Sequence, residues 1–260
     1  MIDIHDHILP GIDDGSKDME ESIHLLKEAK LAGFDKVVFT PHYKENFYQV
    51  EVREKEELFE KLKEEANKLG LNIDLYLANE IYMSGDNIIG LLENEKASTI
   101  NNTNYVLFEL PLHSKPMNIF DRIDVLRRNK LVPILAHPER YFYMQEKPDI
   151  IFDLIENGVF MQQNFASING QYGKKAQILA INMLKTNSVH FFGSDVHKKN
   201  TIYSVIPKCL KKIEKIIGEE KLKELTQTNP ELVLNNKKIE IYTPAKINYN
   251  FIEKIQIMSK

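Results

Sequence analysis

A single α/β domain built as a closed or nearly closed β/α barrel is the fold this sequence predicts, and three observations carry the prediction. The chain has 260 residues, 43% of them hydrophobic, enough to bury one large core. Short apolar runs of strand length alternate with amphipathic stretches of helical period, which implies parallel pairing. Nearly every such run ends in a histidine or a carboxylate, and β/α barrels present their chemistry at the carboxyl ends of their strands.

The elements follow in order. The first strand is Ile2-Asp3-Ile4-His5-Asp6-His7-Ile8, where strict alternation sends His5 and His7 to one face and Ile2, Ile4 and Ile8 to the other. Asp18 caps a helix with Glu21 in support, and Met19, Ile23, Leu26 and Ala29 keep helical spacing up to Gly33. Val37-Val38-Phe39-Thr40 reads as a buried strand stopped by Pro41. The charged stretch from Glu51 to Leu69 carries Leu58, Leu62, Ala66 and Leu69 on one face, and Gly70 closes it. Further strands are expected at Ile73 to Ala78, Tyr105 to Leu110, Val132 to Ala136, Val159 to Gln163 and Val189 to Gly193. Helices are expected around Phe120 to Asn129, Asp149 to Asn157 and Lys174 to Lys185. That makes seven strands.

Tracing the strand ends assembles one rim. His5 and His7 finish the first strand, and the carboxylate pair Asp13-Asp14 follows at once. His42 ends the second strand, Glu80 the third, Glu109 the fourth and His137 the fifth, while Asp195 and His197 end the seventh. Five imidazoles and four carboxylates, one of them from the Asp13-Asp14 pair, are too many for one catalytic ion, which takes about three protein ligands and leaves a position open. Two or three divalent ions are implied. Three would carry more positive charge than four carboxylates cancel, so the site would attract an anion such as phosphate. Nitrogen and oxygen ligands without thiolate suit manganese, iron or zinc, with manganese favoured. Glu109 has a rival reading as a buried structural acid. His24, His113 and His190 are read as structural, the first in a helix and the last inside the seventh strand, with contact to substrate as the rival reading for the loop residue His113.

Other functions are excluded or disfavoured. A net charge of -4 argues against a protein devoted to nucleic-acid binding. The single cysteine, Cys209, falls in a helix-like run far from every motif, so it forms no intrachain disulfide and supports no thiol-based phosphatase mechanism. The chain opens directly on a strand and contains no run of about 18 apolar residues, so a cytoplasmic protein, not an integral membrane protein, is expected.

His5-Asp6-His7-Ile8-Leu9-Pro10-Gly11-Ile12-Asp13-Asp14-Gly15, Thr40-Pro41-His42, Asn79-Glu80-Ile81, Phe108-Glu109, Ala136-His137-Pro138-Glu139-Arg140 and Gly193-Ser194-Asp195-Val196-His197 occur in that order. With these motifs the chain resembles the PHP (polymerase and histidinol phosphatase) superfamily, and more narrowly its bacterial metal-dependent protein-tyrosine phosphatases from capsule and exopolysaccharide loci. The likeness covers roughly residues 1 to 235. It implies a distorted seven-stranded barrel of the PHP type and a metal set of His5, His7, Asp14, His42, Glu80, Glu109, His137, Asp195 and His197, choosing Asp14 over Asp13. Asp13 then supports the turn. Candidate catalytic residues are Arg140, as a planar clamp on the phosphate, and the ligands His42 and His197 as neutral imidazoles. The branch usually places an arginine shortly after the last histidine. Here the segment reads His197-Lys198-Lys199-Asn200-Thr201-Ile202, so Lys198 or Lys199 stands in as a point charge or merely forms a solvated turn.

The implied reaction is hydrolysis of phosphotyrosine, on the tyrosine-rich tail of a membrane-bound bacterial tyrosine kinase that regulates polysaccharide export. Recruitment to the inner face of the membrane would then come through that substrate. Lys44, Tyr43, Phe47 and Tyr48 could line an open rim or pack as an ordinary loop. Residues 1–236 are read as the metallophosphatase domain and 237–260 as an extension that packs on the barrel, joins another subunit in a homo-oligomer, or lies near a membrane. Two rivals stand: a small-molecule phosphatase such as histidinol phosphatase, and a non-catalytic metal-stabilised PHP module. The full ligand set argues against the second.

Overall fold

A computed structural model describes residues 1–83 and 88–258. Its strands are β1 (Ile2–Asp6), β2 (Lys36–Phe39), β3 (His42–Tyr43), β4 (Asp74–Leu77), β5 (Glu80–Tyr82), β6 (Tyr105–Glu109), β7 (Val132–Ala136), β8 (Phe160–Asn164) and β9 (Phe191–Gly193). All their pairings are parallel, in one sheet of order β1-β2-β4 and a second of order β3-β5-β6-β7-β8-β9. The predicted α/β class and parallel sheets are present. The predicted second and third strands end near Thr40 and Ala78 as expected, but each is followed after a break by a further short strand, β3 and β5, which is why one ladder becomes two. Past the end of β9, backbone bonds Asp195 N–H to His5 O (2.8 Å) and His7 N–H to Val196 O (3.0 Å) join the last strand to the first.

The helices sit where the period placed them. Met19–Leu31 starts at Asp18, whose carboxylate accepts the Glu21 N–H. Val52–Lys68, Ile119–Arg128, Asp149–Glu156 and Lys174–Lys185 match the other predicted helices, and Cys209 is buried in the Ile206–Ile217 helix. Short helices at Ile88–Glu93, Phe142–Glu146, Asn229–Leu234 and Phe251–Met258 were not predicted.

Strand parity divides the core into two. Val37, Phe39, Phe108, Leu135, Met161 and Phe192 pack outward against the helices. Val38, Leu107, Ile134, Phe160 and Phe191 meet inside, closed from below by Val233 and Leu234. Ile2 and Ile4 belong to this inner cluster, on the same side as the ligands, which corrects the expectation that they face away from His5 and His7. A register irregularity between Asp3 and Asp6 shifts the phase of β1 and lets isoleucines and histidines share the interior. Ile8 packs outward as expected.

Residues 237–258 lie against the domain: the Tyr105 hydroxyl donates to Lys237 O, Tyr249 donates to Gln145 O, and Ile239, Ile247 and Ile257 are buried. Among the described residues no helix is long and apolar enough to cross a membrane.

His190 lies just ahead of β9 rather than within it. Its Nδ1 accepts the Met161 N–H at 3.0 Å, and its ring meets Phe160 edge-on. Burial, reinforced by the charge of Lys221, pushes the imidazole down to about 3. With the folded value below the unfolded one, this neutral ring stabilises the fold above the unfolded value, and that contribution fades as pH falls from about 6.5, at up to about 1.4 kcal/mol per pH unit. His190→Asn, whose amide oxygen can accept the same N–H, is expected to flatten the acid limb of stability measured by urea denaturation. An unchanged limb would remove His190 as its source.

Candidate metal centre

Backbone register brings the ligands together. β3 pairs with β5 so that His42 lies beside Glu80, and β5 pairs with β6 so that Tyr82 lies beside Glu109. Gly193 must be glycine for a steric reason, since an added Cβ would stand 2.7 Å from both His5 Cβ and Gln162 Nε2. Two candidate ligands hold left-handed backbone, His137 at φ 35° and Asp195 at φ 53°, conformations that cost energy in non-glycine residues and tend to persist where function requires them.

At the centre, His5 Nε2 and His7 Nε2 lie 3.3 Å apart. Glu80 Oε2 is 3.3 Å from the first and 3.4 Å from the second, and Asp195 Oδ1 is 3.6 and 3.5 Å away. His42 Nδ1 approaches Glu80 Oε2 at 3.0 Å and Glu109 Oε1 at 3.4 Å, and His137 Nε2 approaches Glu80 Oε1 at 3.0 Å. On the outer side, Asp14 Oδ1 lies 3.5 Å from both His42 Nε2 and His197 Nε2. All nine predicted ligands thus fall in one connected cluster. Within it three groups, His5/His7/Glu80, His42/Glu80/Glu109 and His7/Asp14/His42/His197, have converging donor atoms.

The donors fit cations better than they fit one another. Buried His42 Nδ1 and Glu80 Oε2 have no hydrogen-bond partner although they lie 3.0 Å apart. Electrostatics agrees. Burial works to raise the Glu80 carboxyl, yet His5 and His42 outweigh it and hold it well below the carboxylate range. Burial works to lower His5 and His42, yet Glu80 leads the charges that push each up to about 10. Glu109, buried beside Glu80, is pushed up to about 8. The carboxylates demand positive charge, which protons or divalent cations can supply.

Supporting contacts orient the ligands, as they do around metal-binding histidines generally. His7 Nδ1 lies 2.7 Å from Asp13 Oδ2, which also accepts the His42 N–H, while Asp13 Oδ1 accepts the Gly15 N–H within the turn. His5 Nδ1 lies 2.6 Å from Gln162 Oε1, and the Asn164 amide donates to Asp195 Oδ2 at 2.7 Å. Sequence reasoning passed over Gln162 and Asn164. They sit on β8, the one predicted strand that brings no histidine or carboxylate to the rim, and their i, i+2 spacing at a polar strand end was the available signal.

Arg140 lies on the short helical turn Pro138–Arg140 beyond β7. Its Nη1 donates to Asp195 Oδ2 at 2.6 Å, and its guanidinium covers the Tyr172 ring at 4.7 Å. Lys198 and Lys199 are exposed on the turn after β9, and Lys199 lines a polar surface groove of about 490 Å³ beside Glu21 and His24. Neither lysine is brought into the cluster. His24 pairs with Glu28 on its helix, and His113 packs edge-on against Phe142.

The arrangement has known relatives. CapC of Staphylococcus aureus is 33% identical over 254 residues, 95% of this chain and 96% of its own. The tyrosine-protein phosphatase YwqE of Bacillus subtilis is 31% identical over 247 residues, 95% and 96% of the two chains. A crystal structure from work on YwqE and on CpsB of Streptococcus pneumoniae, described as metal-dependent tyrosine phosphatases, superposes with a TM-score of 0.90 at 29% identity, covering 96% of this chain and 100% of that one. Residues 1–235 match the family described as capsular polysaccharide synthesis, CpsB/CapC, and the chain belongs to that family.

Proposed function

We infer that this chain is a metal-dependent protein-tyrosine phosphatase whose nine-residue cluster holds two or three divalent ions, manganese favoured by its mixed nitrogen and oxygen donors. The observation that carries the reading is the buried Glu80 carboxylate facing His5, His7, His42 and His137, with a guanidinium at the cluster's edge. Family membership and the YwqE and CpsB likeness support the phosphotyrosine assignment. The two sheets are read as one distorted seven-stranded barrel, interrupted at Pro41 and Asn79.

When bound, such ions polarise phosphoryl oxygens and bring the pKa of water near neutrality. The protein's own contribution is orientation and charge. Asp13 and Gln162 lie against Nδ1 of His7 and His5, so each ring turns its Nε2 toward the cluster. His42 and His197 act as neutral ligands. Arg140 clamps the phosphoryl group, while exposed Lys198 and Lys199 add only a diffuse positive charge. The departing phenolate, from a group with pKa near 10, needs less protonation than an alkoxide would.

The proposed partner is the phosphotyrosine-bearing tail of a bacterial tyrosine kinase controlling capsule or exopolysaccharide production, met on the cytoplasmic side of the membrane. Chelation followed by Mn²⁺ addition is expected to abolish and restore hydrolysis of a phosphotyrosine peptide, and metal analysis of the purified protein should give two to three ions per chain. Activity that survives chelation with the metal removed would overturn the mechanism. Faster turnover of histidinol phosphate than of the peptide would overturn the substrate.

A further inference from the structure

The turn after His42 carries side chains that the metal cluster does not use. Lys44 and Tyr48 close it with two backbone bonds, Lys44 N–H to Tyr48 O at 2.9 Å and Tyr48 N–H to Lys44 O at 2.8 Å, while Asn46 takes φ 65°. The turn is therefore a defined structure at the mouth of the site. The Tyr48 ring lies nearly parallel to the His42 imidazole, with centroids 5.7 Å apart and planes at 15°. The Lys44 ammonium sits over two aromatic faces, 4.7 Å from the Phe47 centroid and 4.3 Å from that of Tyr82. Tyr82 is in register with Glu109. Three rings and one cation thus border the side of the cluster formed by His42, Glu80 and Glu109.

Phe47 stands out in this group because it is 73% exposed. Here the ring is contacted by the Lys44 ammonium yet left open to solvent at the mouth of the site, so its face is available to an apolar ligand. The substrate chemistry supplies one. In a phosphotyrosine the ester oxygen is bonded directly to the ring, so a phosphoryl group held in the cluster brings the ring to rest immediately outside the ligand shell. An alkyl phosphate brings no ring there.

We propose that the Lys44–Tyr48 turn is the aryl-binding wall of this site, with Phe47 and Tyr48 as specificity-determining residues that select phosphotyrosine over alkyl phosphates. The inference rests on the phosphatase reading above. Lys44 acts as a positioning residue, pinning Phe47 against movement.

The test uses the full chain loaded with Mn²⁺, 4-nitrophenyl phosphate and a phosphotyrosine peptide as substrates, and inorganic phosphate as a competitive inhibitor. Phe47→Ala is expected to raise KM for both substrates on the order of 10-fold, to leave kcat within about twofold, and to leave the Ki of phosphate unchanged. Phe47→Tyr and Tyr48→Phe, which keep the rings, should retain the parental KM. Because Phe47 is exposed, its replacement does not threaten folding. A Phe47→Ala enzyme with unchanged KM, or one in which KM and the phosphate Ki rise together, overturns the wall while leaving the phosphatase reading intact. Failure of the parental enzyme to hydrolyse any phosphomonoester overturns both.

Discussion

Glu80→Gln is expected to cost more than about 100-fold in kcat/KM for an aryl phosphate and to strip the protein of metal, since the loss of even a supporting partner to a ligand typically costs 10–100-fold. The side chain is fully buried, and its two oxygens lie 3.0 to 3.4 Å from nitrogens of four imidazoles. Among the described residues no other carboxylate faces so many. Glutamine preserves the shape but removes the charge, and its NH₂ group would point a donor toward positions proposed for cations. Burial also leaves no water to compensate. Metal analysis and steady-state kinetics on the variant check the expectation. A variant that keeps its metal and loses less than tenfold in activity would remove Glu80 from the centre of the proposed cluster.

The same residue shows how much of the site could be read from the chain. Glu80 was placed by position alone, as the first acid after a predicted strand, and register with β3 then set it beside His42. The rule that strand ends point into one mouth needs only the strand list, so the convergence of the candidate ligands was legible. What was not legible depends on departures from regular geometry. Alternation in β1 fails because of one irregularity between Asp3 and Asp6, and no residue type there announces it. The third strand was expected to end at Ala78, but the chain resumes as β5 after a break at Asn79.

Lys55 explains that break, and its role was invisible for a physical reason. On a helix rich in lysine and glutamate it reads as one more solvated charge. In the fold it is 1% exposed, and its ammonium donates to Ala78 O at 3.1 Å and to the Asn79 and Ser98 side chains. Asn79 in turn donates to Pro41 O, filling the gap where proline interrupts the neighbouring strand. Burial pushes this lysine down to about 7. A local sequence window cannot distinguish a buried lysine from its neighbours, because what distinguishes it is a set of acceptors that arrive from residues 78 to 98.

Arg140→Lys should raise both KM for an aryl phosphate and the Ki of inorganic phosphate by on the order of 10- to 100-fold, as expected when charge-assisted hydrogen bonds worth about 1.5–3 kcal/mol are lost. The guanidinium is held from two directions. Asp195 takes Nη1 at 2.6 Å, and the Tyr172 face lies 4.7 Å below. The turn that carries it is anchored by Glu139, whose carboxylate accepts Asn164 N–H at 3.0 Å and the Ser167 hydroxyl at 2.6 Å. This preparation matters only for a planar group with several donors, since an ammonium can satisfy Asp195 but cannot also stack and present a second edge to a phosphoryl group. Metal content should be unchanged, which separates this loss from that of Glu80→Gln, and phosphate binding should weaken, which separates it from Phe47→Ala. The missing arginine after His197 sharpens the expectation. Lys198 and Lys199 point no fork at the cluster, so Arg140 is left as the one guanidinium among the proposed site residues, and a lysine in its place should not be rescued by them. A variant with parental phosphate affinity would show that the metal ions alone hold the phosphoryl group and that Arg140 serves only to fix Asp195.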